Sequence, residues 1–334
     1  MPEAGDGLVI GVDVGGTKVA AGFVDPAGRI IAHVRQPMVA DGDAASGFAA
    51  VKSAIDALLV LDSKKEIHGI GICSPGPLDP DTGVVINPPN LPCWRNFPLA
   101  SETGRIYRLP VKLDNDANAA GLAEALWGAG AGYRNVFYAT IGTGIGTGLV
   151  FEGELYHGRT GAAGEGGHMS IDYRGPQCGC GKRGCIETLA AGPAIARRVQ
   201  EKLAASGNHD SMLWGMANGQ LESVSSEMVG RANAAGDPLA RDVLAETVAL
   251  LSVWLGNIID LLEPDVIIMG GGVAAMLKPL FAEIRRKTSE NCVNSRAHEI
   301  PLLPACYGTD SGIAGGAALC TQAATPIASA PVKF

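Results

Sequence analysis

Between Gly161 and Glu187 the chain reads GAAGEGGHMSIDYRGPQCGCGKRGCIE, with Cys178, Cys180 and Cys185 inside eight residues and His168 ten positions before the first of them. Glycines separate the thiols, so core packing does not explain the cluster. Three thiolates and one imidazole fill a tetrahedral zinc shell, the donor set of a closed structural site. A disulfide would leave one thiol over, and the C-x-C spacing is strained for a local bridge. The redox spacing C-x-x-C is absent. Glu165 and Glu187 flank the ligands without being needed as ligands. A metal that folds a loop and presents two carboxylates predicts a binding wall for a polar, uncharged molecule.

A second kind of chemistry sits in two glycine turns. The apolar run Leu8 to Val14 ends in Gly15-Gly16-Thr17-Lys18 and gives way to the β-rich run Val19 to Val24. FYATIGTGIGTGLVF, ending at Phe151, repeats the unit about 127 residues later, with Gly142-Thr143-Gly144 as its turn. Neither is a P-loop, which needs G-x-x-x-x-G-K-[ST] opening a helix. Neither is a dinucleotide fingerprint, because the last glycine fails in the second copy and a strand follows in both. Each turn instead offers successive amides and a threonine hydroxyl to a phosphate chain, which glycine lets approach closely. Asp13, at the end of the first strand, adds a carboxylate, and the pair of turns points to a nucleotide. The repeat predicts two similar domains.

The remaining elements must carry these groups. With 334 residues, 47% apolar and 18% charged, the chain has material for a large core and suggests two domains. A net charge of −8 without a basic block argues against nucleic acid or an anionic membrane as the main partner. The acidic start lacks the basic region of a secretory signal, and the other five cysteines are scattered, so a cytoplasmic protein is expected. Val243 to Leu262 is long and apolar but broken by Glu246, Asn257 and Asp260, and reads as a buried helix. Further helices are predicted over 44–61, 117–127, 192–205, 225–235, 277–286 and 312–324. Strands are predicted over 29–35, 67–73, 111–113, 266–269 and 300–303. Asn87-Pro88-Pro89-Asn90-Leu91-Pro92 is a stiff loop, Gly270-Gly271-Gly272 a glycine loop, and Thr325 to Phe334 reads as disordered.

At the end of the strand over 111–113 stand Asp114, Asn115 and Asp116. Either acid suits a general base facing a phosphate loop, and Asp116 also suits a helix N-cap. Strand alternation turns both acids to one side, so spacing does not choose between them.

In order along residues 8 to 322, these segments resemble the ROK sugar kinases of the actin-like, ribonuclease-H-like ATPase superfamily. Asp13 to Lys18 resembles the family's first phosphate motif, Leu113 to Ala120 its catalytic strand end, and Gly142 to Gly146 its second phosphate loop. Glu165 to His168 with Cys178 to Glu187 resembles its zinc and sugar signature, and Met269 to Val273 its adenosine-side loop. Gly166 departs from the pattern, where a larger apolar residue is expected.

The resemblance implies an α/β fold of two ribonuclease-H-like domains around a cleft, with a zinc-bound loop over 161–187. A small domain would span 1–116 and 312–334, and a large one 117–311. It implies phosphoryl transfer from ATP, with Mg2+, to a sugar hydroxyl. Asp116 would be the base and Asn115 a sugar ligand, with Glu165, His168 and Glu187 on the other hydroxyls and Asp13 near the Mg2+. His168 would serve both zinc and sugar. Gly15, Gly16, Thr17, Lys18, Gly142, Thr143, Gly144, Gly270, Gly271 and Gly272 would hold the nucleotide, and the loop over 74–92, with Gly76 and Asn90, would complete the sugar site. Glucose is the expected acceptor and a homodimer or homotetramer the expected assembly. Fructose, N-acetylmannosamine and N-acetylglucosamine as acceptor, and a non-catalytic sugar-sensing role, are the alternatives. In the loop over 87–94, Leu91, Cys93 and Trp94 leave open whether an apolar patch there receives an acetyl methyl.

Overall fold

The computed structural model describes residues 7–62, 66–206 and 211–321, so the tail from Thr325 on lies outside the described residues. The chain runs β1 (Leu8–Val14), β2 (Lys18–Val24), β3 (Ile30–Pro37), α1 (Ala44–Leu61), β4 (Ile67–Ser74), the short pair β5 (Leu78–Asp79) and β6 (Val84–Val85), α2 (Leu99–Tyr107), β7 (Val111–Asn115) and α3 (Asp116–Leu126). It continues through β8 (Asn135–Ile141), β9 (Ile145–Phe151), β10 (Glu154–Leu155), α4 (Ile186–Ala190), α5 (Gly192–Ser206), α6 (Met212–Met216), α7 (Ser226–Ala234) and α8 (Pro238–Leu262). The last elements are β11 (Val266–Gly270), α9 (Gly271–Leu277), α10 (Phe281–Glu290), β12 (Leu302–Pro304) and α11 (Ser311–Leu319). Residues up to Ala119 and again from Gly312 form one compact unit, and Ala120–Ser311 the other.

In the first unit the strand order is β3-β2-β1-β4-β7, with β1 to β3 antiparallel and β4 and β7 parallel to β1. In the second it is β10-β9-β8-β11-β12, again an antiparallel hairpin flanked by parallel strands. The hairpin β8–β9 begins and turns 127 residues after β1–β2, so the repeat in the sequence is one supersecondary unit used twice. In each unit the glycine turn lies at the carboxyl end of the parallel strands, where open α/β sheets place their ligands.

The helices sit where their patterns put them. Asp43 caps α1 by accepting from the Ser46 amide, and Val51, Ala54, Ile55 and Leu58 bury one face. Asp237 caps α8, with Pro238 in its first turn. By length and apolarity α1 and α8 would suffice to cross a membrane, yet α8 places Val243, Leu251, Trp254 and Leu255 in the core of its own unit. Gly11 and Gly71 let α11 lie directly on the first sheet. A Cβ on Gly11 would sit 1.8 Å from the Ile313 carbonyl oxygen, and one on Gly71 would sit 1.7 Å from that of Gly316.

Three expectations change. Gly270-Gly271-Gly272 is not a loop: Gly270 caps α9, and Gly271, at φ 87°, opens it. The helix expected over 277–286 is split, because Pro279 carries no amide to continue α9 and a 3-10 turn intervenes before α10. The last helix ends at Leu319, before the described Cys320 and Thr321, and the expected residues 322–324 lie outside the described residues. The sequence reading also missed α2.

Candidate active site

At the end of β1, Gly15 donates to the Lys18 carbonyl at 2.9 Å and closes the first turn, leaving Thr17 and Lys18 exposed. The Asn90 carbonyl packs against this turn, 2.9 Å from where a Gly16 Cβ would lie. Gly76 neighbours Asn115, whose Nδ2 would stand 3.7 Å from a Cβ there. The loop's apolar residues face inward. Leu91 and Trp94 are fully buried, Trp94 stacks on Phe97 at 5.3 Å, and its Nε1 donates to the Ala44 carbonyl. The apolar patch anticipated for residues 91–94 is therefore core.

Beside that turn stand the two acids that spacing did not separate. Asp114 is buried, and its Oδ1 accepts from the Asn115 amide at 2.7 Å and from Asn118 Nδ2 at 3.0 Å. Asp116 faces elsewhere, because the strand ends at Asn115 and helix geometry begins at Asp116, so alternation does not reach it. Its carboxylate stays open to solvent at the surface while protein crowds it from behind. That loss of water, then the charge of Asp13, raises its pKa to about 6 against the pull of the Ala117 amide. Asn115 Oδ1 shares the Ala117 amide at 2.9 Å, so capping of α3 is divided between Asn115 and Asp116.

In the second unit Gly142 donates to the Gly144 carbonyl at 2.9 Å, and the Gly192 amide at the start of α5 donates to the Gly142 carbonyl at 2.8 Å. Glu187 faces this same turn. Its Oε2 accepts from the Ile145 amide at 2.9 Å and would touch a Cβ on Gly144. Glu165 is exposed at the head of a 3-10 turn over Gly166–His168. That turn is seated by its glycines, since a Cβ on Gly167 would lie 1.9 Å from the Ile145 carbonyl oxygen. Gly166, where the resemblance predicts a larger apolar residue, has a local reason to be glycine. A Cβ there would meet Thr147 Oγ1 at 2.8 Å, and that hydroxyl instead accepts the Gly166 amide at 2.9 Å.

The ligand atoms of His168, Cys178, Cys180 and Cys185 all lie within 4.8 Å of one another. Cys178 Sγ is 3.5 Å from His168 Nδ1, and Cys180 Sγ is 3.6 Å from Cys185 Sγ. Ligands on a tetrahedral zinc stand about 3.5–3.8 Å apart, so the cluster has the dimensions of a zinc shell. The chemistry agrees. Burial and then the neighbouring sulfurs push the Cys185 thiol up to about 12, while the Lys182 amide lowers that of Cys180. A dication among them would offset the repulsion between thiolates. Nδ1 of His168 is the nitrogen beside the sulfurs.

The ROK family profile matches residues 9–323. This chain belongs to the ROK family. The glucokinase of Thermotoga maritima is 33% identical over 312 residues, spanning 93% of this chain and 96% of that protein. The glucokinase of Streptomyces coelicolor is 32% identical over 317 residues, spanning 95% and 98%. A crystal structure of a ROK family glucokinase from Streptomyces griseus, in complex with glucose and AMPPNP, is 32% identical, with a TM-score of 0.79 over 94% of this chain and 99% of that one.

A cavity of about 750 Å3 in this ROK chain opens beside the second turn. Gly142, Thr143 and Gly272 line it, as do Gly192 and Pro193 of α5 and Ser226, Glu227, Gly230 and Arg231 of α7. Gly144, Gly270 and Gly271 do not line it. Gly270 lies under the Tyr138 hydroxyl, and Gly271 lies on the Ile141 carbonyl. Sequence reasoning missed the α5 and α7 walls. Their only local signals are the Gly192-Pro193 helix start and the Ser225 cap, which say where helices begin and nothing about a ligand.

Proposed function

We propose that this ROK chain is an ATP-dependent hexokinase that transfers the γ-phosphoryl group of ATP to the 6-hydroxyl of glucose. The observation that carries the reading is Asp116, a solvent-accessible carboxylate at the end of a parallel strand, raised to about 6 beside Asp13 and the first glycine turn. A base in that range is largely ionised at neutral pH yet more basic than an ordinary carboxylate. It takes the proton of the sugar hydroxyl as that oxygen bonds to the γ-phosphorus and the bond to the bridging oxygen breaks, releasing ADP. Such transfer depends on positioning and charge neutralisation more than on covalent catalysis.

The nucleoside would occupy the 750 Å3 cavity, whose Ala196, Val224, Val273 and Met276 offer apolar cover for a base. By the family resemblance, the turn 15–18 of the first unit and the turn 142–144 of the second are each phosphate-binding, and Asn115 of the first unit and Glu165, Glu187 and Nε2 of His168 of the second are each sugar ligands. Asp13 would stand near the Mg2+, which would supply charge neutralisation there, and Asp116 stays free as the base. His168 and the three cysteines would hold Zn2+ as a structural ion. Glucose is favoured over an N-acyl sugar because Leu91 and Trp94 are buried and offer no apolar contact to an acetyl methyl. The closeness to two glucokinases over nearly their full length supports the same acceptor.

ADP release measured with glucose, mannose, fructose, N-acetylglucosamine and N-acetylmannosamine tests the reading. Glucose should lead in kcat/KM by orders of magnitude over sugars that leave a buried polar group unpaired. An N-acetyl sugar in the lead would replace the acceptor and leave the kinase. No turnover with any hexose, using ATP or polyphosphate, would overturn both.

A further inference from the structure

The family motif accounts for Asp13 but not for what holds its carboxylate. Two residues from distant parts of the first unit do so. Gly312, the second residue of α11, lies against the side chain. A Cβ there would sit 2.3 Å from Asp13 Cγ, 2.6 Å from its Cβ and 2.7 Å from Oδ1. No real Cβ tolerates such contacts, and a two-carbon side chain on a central strand has little room to yield. Cys73 is the other. It pairs with Asp13 across β1 and β4, is fully buried, and its Sγ donates to the Gly312 carbonyl at 3.2 Å while standing 3.7 Å from Asp13 Oδ1. Its thiol thus ties the start of α11 to the strand beside Asp13. Farther along the helix Gly316 meets strand backbone at Gly71, whereas Gly312 meets a functional side chain.

We propose that Gly312 and Cys73 are positioning residues that fix the Asp13 carboxylate for the Mg2+-bound phosphates of ATP. The inference rests on the reading of Asp13 given above. Gly312 acts by lacking a side chain, and Cys73 by holding the helix start at the right height. Misplacement by about 1 Å at a reacting centre costs up to about a hundredfold.

The test compares Gly312→Ala, Cys73→Ala and Asp13→Asn with the parent protein. Four quantities are read: kcat/KM for MgATP, the thermal midpoint, the glucose affinity by calorimetry, and Mn2+ binding with a non-hydrolysable ATP analogue by electron paramagnetic resonance. Gly312→Ala should lower kcat/KM for MgATP by about tenfold or more and weaken Mn2+ binding, with glucose affinity within about twofold. Cys73→Ala adds no bulk and should shift the same two quantities by a smaller factor, which serves if Gly312→Ala fails to fold. Parent-like MgATP kinetics and Mn2+ affinity in either folded variant, with Asp13→Asn impaired, would overturn the proposal. An unimpaired Asp13→Asn would instead overturn the reading of Asp13, and the proposal with it.

Discussion

Asp114 and Asp116 are two positions apart and have opposite fates. The buried Asp114 spends its carboxylate on Asn115 and Asn118, which fastens the strand end to the helix after it. Asp116 is left facing solvent with a raised pKa. Asp116→Asn should therefore keep the fold and glucose binding and lower kcat by about a hundredfold or more, measured by coupled ADP release. Asp114→Ala should instead lower stability by about 1–3 kcal/mol in denaturant titration, because two donors lose a buried partner. The sign of the pH dependence follows from the raised value. Asp116 holds its proton up to about pH 6, so kcat/KM for glucose should fall about tenfold per unit below that point and level off above it. A flat profile between pH 5 and 7 would exclude Asp116 as the base.

At the scale of elements, the loop over 161–187 has little apolar material of its own, and its four ligand groups would hold it together through a metal. It also delivers Glu187 to the turn at Gly144 and, through the Ile186 amide bonded to the Met169 carbonyl, starts α4. A metal held there would make its binding and the folding of the loop one equilibrium. Purified protein should contain one zinc per chain by elemental analysis. Chelation, or Cys180→Ala, should abolish sugar phosphorylation while the far-ultraviolet spectrum changes little. Full activity in a zinc-free sample would exclude the structural role. The turn before the loop's ligands is tuned to this chain. Gly166 and Thr147 form a matched pair, so a larger residue at 166 requires a smaller one at 147.

For the molecule as a whole, a ligand that binds only the folded chain stabilises it by mass action. At a hundredfold excess over Kd, the nucleotide analogue or glucose should each add about 2.7 kcal/mol and raise the thermal midpoint. A midpoint that ignores both would contradict the proposed sites. The local chemistry was legible from residue order. The spacing of His168, Cys178, Cys180 and Cys185 predicted a cluster of four ligand groups, and the fold brings them together, because ligands close in sequence can cluster with little help from the fold. The strand-turn-strand repeat was legible too, since alternating apolar runs around glycines encode a hairpin locally. What tertiary structure decided was everything that depends on partners far apart in sequence. It buried Asp114 against Asn118 and left Asp116 exposed, turned Leu91 and Trp94 into core, and built a cavity wall from α5 and α7. It also buried Glu124, which takes amides from Ala129, Cys306 and Tyr307, and it set Gly312 against Asp13. A residue type and its spacing state what a side chain can donate, accept or ligate. Burial and long-range contact determine which of those capacities is used within the fold and which is left for a ligand.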